Sequence, residues 1–320
     1  MDKLLEIKNL NVWFKDEISK PLKAVDGVSF DIYENEVVGI VGESGSGKSL
    51  TAFSILNLLP EEAEVSGNIF YKDKDLLKLN ENEKIKYRGK EISMIFQDPV
   101  ISLNPVMKIG EQIREAISVY SKISTNDSKA KAIELLRKVG IPEPEKTYDN
   151  YPFSLSGGMC QRVMIAIAIA NNPSVLIADE PTTALDVTIQ AAILTLLLEI
   201  KNERKDFTLI LITHNFAIVK QICSRVIVMY GGKIQEESSV EELFKNPKHP
   251  YTIGLIESVP FGRDKSKPLK QIQGNVPDLS EMPQGCRLSD RCPKVFEKCK
   301  IEEPEIKEIE KNKFVRCHLY

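Results

Sequence analysis

The chain has 320 residues, enough for one large domain or two ordinary ones, and its 42% hydrophobic and 28% charged residues fit a globular protein with an ample core. A formal net charge of −3 gives no basic footprint for nucleic acid, and no apolar run approaches the roughly 18 residues that span a bilayer. Met1-Asp2-Lys3-Leu4-Leu5-Glu6 lacks the basic start and apolar centre of a signal peptide, so a cytosolic chain is expected. In that setting the six cysteines read as metal ligands or inert thiols rather than disulfides.

The first part of the chain reads as β-rich. Leu5, Ile7 and Leu10, then Val28, Phe30 and Ile32, alternate with polar residues as half-buried strands do, and Glu34-Asn35 supplies a turn. The apolar strand Val37-Val38-Gly39-Ile40-Val41 then runs into Gly42-Glu43-Ser44-Gly45-Ser46-Gly47-Lys48-Ser49, a full match to the G-x-x-x-x-G-K-[ST] phosphate-binding loop. A helix is expected from about Lys48 to Leu58, placing Leu50 in its first turn. The glycines let the backbone wrap so that its N–H groups converge on phosphates, and the helix N-terminus adds partial positive charge there. Lys48 would reach the β- and γ-phosphates of a nucleoside triphosphate, and the Ser49 hydroxyl would ligate Mg²⁺.

From about Asp98 to Asn150 the texture is polar and helical, with apolar spacing over Ile109–Val119 and Lys129–Val139 and a stop at Gly140 and Pro142. Strands then alternate with helices: Val175–Ala178, a helix over Thr188–Lys201, Thr208–Ile212, a helix from Asn215, and Val226–Met229. The fold class is α/β: a P-loop NTPase core of mainly parallel sheet plus an antiparallel β subdomain, with an inserted helical subdomain. Val175–Ala178 leads into Asp179-Glu180, so two carboxylates stand at the carboxyl end of a strand, where open α/β sheets bind ligands. Asp179 would hold Mg²⁺, and Glu180 is placed to polarise the water that attacks the γ-phosphate.

Leu155-Ser156-Gly157-Gly158-Met159, about twenty residues before Asp179, resembles the signature sequence of ABC-type ATPases, with Met159 in its variable last place. It precedes a helix with apolar spacing at Val163, Ile167 and Ala170, and that helix start is a second anion site. Other elements follow in the family's order. Ile95-Phe96-Gln97-Asp98 resembles the Q-loop, which implies that Gln97 touches Mg²⁺ and the attacking water. Thr183-Ala184-Leu185-Asp186 resembles the D-loop at the dimer interface, and Thr213-His214-Asn215 the switch histidine that contacts the γ-phosphate. Phe14 looks like the aromatic residue that stacks on adenine. Trp13 is the alternative, and strand alternation lets only one of the pair face the base. The resemblance spans about residues 4 to 245. It implies ATP with Mg²⁺, and a head-to-tail dimer in which Ser156, Gly157, Gly158 and Met159 of one subunit face the other's nucleotide. It also implies a helical insert that grips a cytoplasmic loop of a membrane permease, with two transmembrane permease subunits as partners at the cytoplasmic face of the membrane.

After Asn246 lie eight of the seventeen prolines and four of the six cysteines, with weak periodicity, so residues 246–320 read as a loop-rich appendage rather than more sheet. The expected division is an ATPase domain over 1–245, with residues of about 98–165 inserted, followed by this appendage. Asn246-Pro247-Lys248-His249-Pro250-Tyr251-Thr252 and the Gly157-Gly158-Met159 variant resemble the dipeptide and oligopeptide importer branch; Cys160 departs from the basic residue expected there. Cys286-x5-Cys292-x6-Cys299-x17-Cys317 asks for a metal. No close C-x2–4-C pair forms a zinc knuckle, and the wide uneven loops suit a [4Fe–4S] cubane, as in the iron–sulfur segment of that branch. Zinc, with His318 as substitute ligand, and free thiols are the alternatives, while Cys160 and Cys223 read as buried thiols.

The expected function is ATP hydrolysis that energises peptide import, with a second ATPase subunit as partner, a heterodimer by family precedent or a homodimer. An extracytoplasmic binding protein completes the system, and no nucleic acid is involved. Import of nickel or other metal chelates shares the same machinery. A soluble ABC ATPase acting on ribosomes or nucleic acid is the alternative from a different class, disfavoured by the single ATPase domain and the absence of a basic patch.

Overall fold

Strand Lys3–Phe14 shows how local sequence sets the first sheet. Its buried positions, Leu4, Leu5, Ile7, Leu10 and Val12, break strict alternation, with a jump of three from Ile7 to Leu10. A β-bulge absorbs the extra residue: Asn9 takes φ 47°, and the pairing with Leu22–Tyr33 shifts register between Ile7 and Leu10. Ala63–Tyr71 and Lys74–Asp75 complete this antiparallel sheet, in which Lys3–Phe14 lies between Leu22–Tyr33 and Ala63–Tyr71. The structure, a computed structural model, describes residues 2–15, 21–183, 185–258 and 272–320. It divides into two compact units, Met1–Leu79 with Leu211–Tyr320, and Asn80–Ile210.

In the first unit, Val37–Val41 is buried at all five positions and runs parallel to Arg225–Tyr230. Burial on both faces is why this strand reads as an unbroken apolar run. Helix Lys48–Leu56 follows the phosphate loop and stops two residues short of the expected Leu58, because Asn57 turns left-handed (φ 53°) and closes it. Lys233–Ser239 pairs antiparallel with Arg225–Tyr230. Beyond Asn246 the expectation of no further sheet is corrected, since Ile306–Glu310 and Lys313–Arg316 form a hairpin added to Lys233–Ser239. The hairpin is short and its outer strand, Ile-Lys-Glu-Ile-Glu, is charged and exposed, as suits a sheet edge guarded against further pairing.

The segment Asn246–Thr252 is anchored to this sheet by a buried carboxylate. Glu236 is 0% exposed. It accepts the backbone N–H groups of Lys248 and His249, both at 2.8 Å, and Tyr251 N–H donates to His249 Nδ1 at 3.1 Å. Tyr251, Cys286, Leu288 and Cys299 from the tail then share one core with Val41, Val228 and Tyr230. The tail is packed into the first unit, not tethered to it.

In the second unit, Ile92–Ile95 runs parallel to Val175–Asp179. Helix Ile109–Ser118 buries Ile109, Ile113 and Ile117, one residue per turn on one face. Helix Thr125–Lys138 begins four residues before the expected Lys129, because the Ser124 side chain caps it by accepting Asp127 N–H at 3.1 Å. Pro144–Tyr148, Gly157–Ile169 and Val187–Glu203 complete its main helices. Thr208–Thr213, buried throughout, carries the chain from this unit back into the first.

Burial holds His249 neutral, pushing its pKa down from 6.5 to about 3. A depressed folded value means that the unfolded chain binds the proton first, so stability is lost as pH falls through the unfolded value. Between pH 6.5 and 5.5, above the carboxylate range, unfolding free energy should decline with a slope approaching about 1.4 kcal/mol per pH unit from this group. Urea melts at several pH values should show that slope flattened in His249→Gln.

Candidate functional site

The phosphate loop is built almost wholly from its own backbone. Lys48 is only 5% exposed. Its Nζ donates to Gly42 O at 2.8 Å, Glu43 O at 2.9 Å and Ser46 Oγ at 3.3 Å. Gly47 must be glycine, because φ is 93° and a Cβ there would lie 2.6 Å from Ala24 O. Helix Lys48–Leu56 starts at that glycine with no side-chain cap, which leaves the N–H groups of its first turn to an anion. Ser44 and Gly45 at the crown are exposed, Ser46 is buried, and Ser49 and Leu50 are half-buried on the first turn. In the same unit His214 is exposed just after Thr208–Thr213, and Asn215 beside it caps helix Phe216–Ile222 by accepting Ala217 N–H at 3.0 Å. Trp13 and Phe14 end strand Lys3–Phe14, both half-buried, with Trp13 opposite Glu64 on the neighbouring strand.

The second unit carries the carboxylates. Asp179 ends strand Val175–Asp179 at 2% exposure. Glu180, the next residue, takes φ 45°, a left-handed conformation that costs a non-glycine residue about 1–3 kcal/mol. That turn aims its side chain back. Glu180 Oε2 accepts from Thr183 Oγ1 at 2.9 Å and from Gln97 Nε2 at 3.4 Å. Gln97 and Glu180, 83 residues apart, are thus brought together, whereas the role of Thr183 in holding the carboxylate is absent from the sequence reading. Its position three residues after Glu180, within hydroxyl reach across a turn, is the signal that could have found it.

Ser156 caps helix Gly157–Ile169, its Oγ accepting Met159 N–H at 3.3 Å, an interaction of the kind worth about 1 kcal/mol. Ser156 and Gly157 are exposed and Met159 half-buried. Gly158 is buried against Ile189, whose side chain would lie 3.0 Å from a Cβ at that position. Ile189 is fixed in turn by Asp186, which accepts its N–H at 2.9 Å and caps helix Val187–Glu203. The signature start and the Leu185–Asp186 turn are therefore one packed unit; Ala184 lies outside the described residues. Cys160 is buried, with Sγ 3.6 Å from Pro152 O, where burial raises its pKa. Cys223 is half-buried, and burial pushes its thiol up to about 12.

The four tail thiols have a distinct environment. Cys286 and Cys299 are buried and joined by Cys286 N–H donating to Cys299 O at 2.8 Å; Cys292 and Cys317 are half-buried. Cys292 Sγ accepts Lys294 N–H, the amide two residues on, at 3.4 Å. Burial pushes Cys286 up to about 12 and raises Cys292 and Cys317, with neighbouring thiols adding to each. Among the described residues no three His, Cys, Asp or Glu side chains converge on a single-ion site, and His318 Nε2 lies 2.9 Å from Glu302 O.

Residues 25–183 match the ABC transporter family, and residues 235–299 match the oligopeptide/dipeptide transporter C-terminal region. The chain is 46% identical over 322 residues to the oligopeptide transport ATP-binding protein AppD of Bacillus subtilis, covering 100% of this chain and 98% of that one. It belongs to the ATP-binding subunits of ABC transporters. This ABC ATPase is also 48% identical over 317 residues to the dipeptide transport ATP-binding protein DppD of Haemophilus influenzae, covering 98% and 95% of the two chains. Among solved structures it is similar to a dimeric ATP-binding cassette in a post-hydrolysis state bound to ADP and Pi, with TM-score 0.66 and 29% identity over 74% of this chain and 99% of that one. It is likewise similar to cbiO1 of Clostridium perfringens, part of an ABC transporter complex, with TM-score 0.64 and 29% identity over 77% and 92% of the two chains. No described helix of the ABC ATPase is long and apolar enough to cross a membrane.

Gly47→Ala should weaken ATP binding by tenfold or more, because the added Cβ can be relieved only by moving the loop backbone off Ala24 O. Titration with a fluorescent ATP analogue, beside a thermal melt to confirm folding, measures the loss.

Proposed function

We propose that this ABC ATPase hydrolyses ATP to power uptake of dipeptides or oligopeptides through a membrane permease. The observation that carries the reading is similarity along the whole chain, tail included, to transport proteins of that class. Cargo choice lies with two transmembrane permease subunits and an extracytoplasmic binding protein, and the ATPase works at the cytoplasmic face of the membrane. Its working form is a nucleotide-sandwich dimer, formed with a related second subunit.

The loop Gly42–Ser49, with Leu50 behind it, holds the triphosphate through backbone N–H groups. Lys48, now bonded to its own loop, has hydrogen-bond partners of the oxygen type that phosphate oxygens replace directly. Ser49, Asp179 and Gln97 offer the hard oxygen ligands that suit Mg²⁺, which when bound neutralises charge on the β- and γ-phosphates. Glu180, oriented by Thr183 and Gln97, accepts a proton from the attacking water, and His214 contacts the γ-phosphate. Ser156, Gly157, Gly158 and Met159 present a capped helix start to the nucleotide of the opposite subunit, with Ala184, Leu185 and Asp186 lining that interface. Phe14 stacks on adenine, a reading supported by strand alternation, which lets only one of Trp13 and Phe14 face the base.

An exposed apolar set, Ile101 and Val106 at 83% and Phe153 at 79%, supports docking of permease loops on the helical unit. Cys286, Cys292, Cys299 and Cys317 would hold a [4Fe–4S] cluster, which when bound supplies four iron–thiolate cross-links to a tail with few apolar residues. The Lys294 amide N–H donated to Cys292 Sγ supports that donor set, since such a bond stabilises thiolate over thiol.

Glu180→Gln should lower hydrolysis by about 10²–10⁴-fold, the usual worth of a general base, while ATP traps a dimer visible by size-exclusion chromatography. An unchanged rate would remove Glu180 from the chemistry. Anaerobic purification followed by iron and sulfide analysis should find about four of each per chain, as a cubane requires; one zinc and no colour would reject the cluster.

A further inference from the structure

We infer that Arg291, in the loop between Cys286 and Cys292, is a positioning residue for the phosphate loop that acts through Glu43. Its guanidinium meets the Glu43 carboxylate in a two-pronged pair, Nη1 to Oε2 at 2.8 Å and Nη2 to Oε1 at 3.0 Å. Two further donors are used, Nε to Gln273 O at 3.1 Å and Nη1 to Tyr230 OH at 3.3 Å. The Arg291 side chain is 5% exposed, and its guanidinium lies 5.6 Å from the centre of the Tyr230 ring. Such a fork, held by four hydrogen bonds, fixes direction as well as charge.

Glu43 is the second residue of the loop, and every polar group it has is committed. Its N–H donates to Tyr251 OH at 2.9 Å, and its C=O accepts from Lys48 Nζ at 2.9 Å and Ser46 N–H at 3.3 Å. Two tail residues, Tyr251 and Arg291, therefore hold the residue whose carbonyl receives the phosphate-binding lysine. A second arginine of the same thiol loop braces the other side. Arg287 Nη2 donates to Asp26 Oδ2 at 2.7 Å, Asp26 N–H donates to Gly232 O at 2.9 Å, and Gly232 N–H donates to Ser46 O at 3.2 Å.

Electrostatics gives the arrangement its purpose. A carboxylate in an anion-binding loop repels the triphosphate, and at close range in a partly buried setting the repulsion is strong. Arg291 neutralises Glu43 and turns its carboxylate toward the tail. Without Arg291 the same carboxylate is a like charge beside the phosphates, and the loop amides lose a strut. The effect falls on nucleotide affinity rather than on the chemical step.

This inference rests on Gly42–Ser49 being the phosphate cradle, so Lys48→Ala serves as the control. Arg291→Met should weaken MgATP binding at least tenfold and raise KM with little change in kcat, and adding Glu43→Gln should restore most of the affinity. Tyr251→Phe, which keeps the ring and loses the acceptor, should weaken binding several-fold and serves if Arg291→Met does not fold. Wild-type affinity in Arg291→Met or, where that variant does not fold, in Tyr251→Phe overturns the inference. So does an affinity loss in Arg291→Met that Glu43→Gln fails to restore, which would make the pair a fold contact only. Wild-type affinity in Lys48→Ala would instead overturn the cradle itself.

Discussion

The rest of the structure depends on holding the eight residues Gly42–Ser49 in one wrapped shape. A phosphate cradle works because its backbone N–H groups converge on one point, an arrangement that an unsupported loop would escape by collapsing onto itself. Here collapse is resisted from below by the fully buried strand Val37–Val41 and from the side by Ala24 O, which permits only glycine at position 47. Lys48 offsets its own burial by bonding Gly42 O, Glu43 O and Ser46 Oγ, so its ammonium closes the loop from within. The loop's shape is thus fixed by its own residues and their immediate neighbours.

The carboxylate half uses strain where the cradle uses glycine. Glu180 is not a residue that favours φ 45°, and a glycine there would relieve the turn but abolish the carboxylate. The strain is offset locally: Thr183 Oγ1 and Gln97 Nε2 both reach Glu180 Oε2, and Thr183 N–H donates to Glu180 O at 3.1 Å. Held in this way the carboxylate has little rotamer freedom left to lose, which is the preorganisation the proposed general base requires.

Much of this was legible in the chain because the signals are local. The run Val37–Val41, the glycines at 42, 45 and 47, and Asp179-Glu180 after an apolar strand each carry their geometry within a few residues, and helix Ile109–Ser118 ended within one residue of its expected Val119. Legibility failed where a partner is distant or a pattern is broken. Asn9 interrupts strand alternation without a glycine to announce it, and Ile306–Arg316 is too short and too charged to read as sheet. Arg291 and Glu43 lie 248 residues apart, and nothing in either neighbourhood names the other.

That distance bears on what the tail is for. An appendage joined by linker alone could shift freely, yet this one is fixed at Glu236 through two backbone amides, at Glu43 through Tyr251 and Arg291, and at Asp26 through Arg287. The loop that bears both arginines keeps its shape by its own turns, with Ser289 N–H on Cys286 O and Arg291 N–H on Leu288 O, each at 2.9 Å. Its shape is therefore set by its own backbone turns and by the pair with Glu43, so the tail meets the phosphate loop as a fixed brace rather than as a free linker.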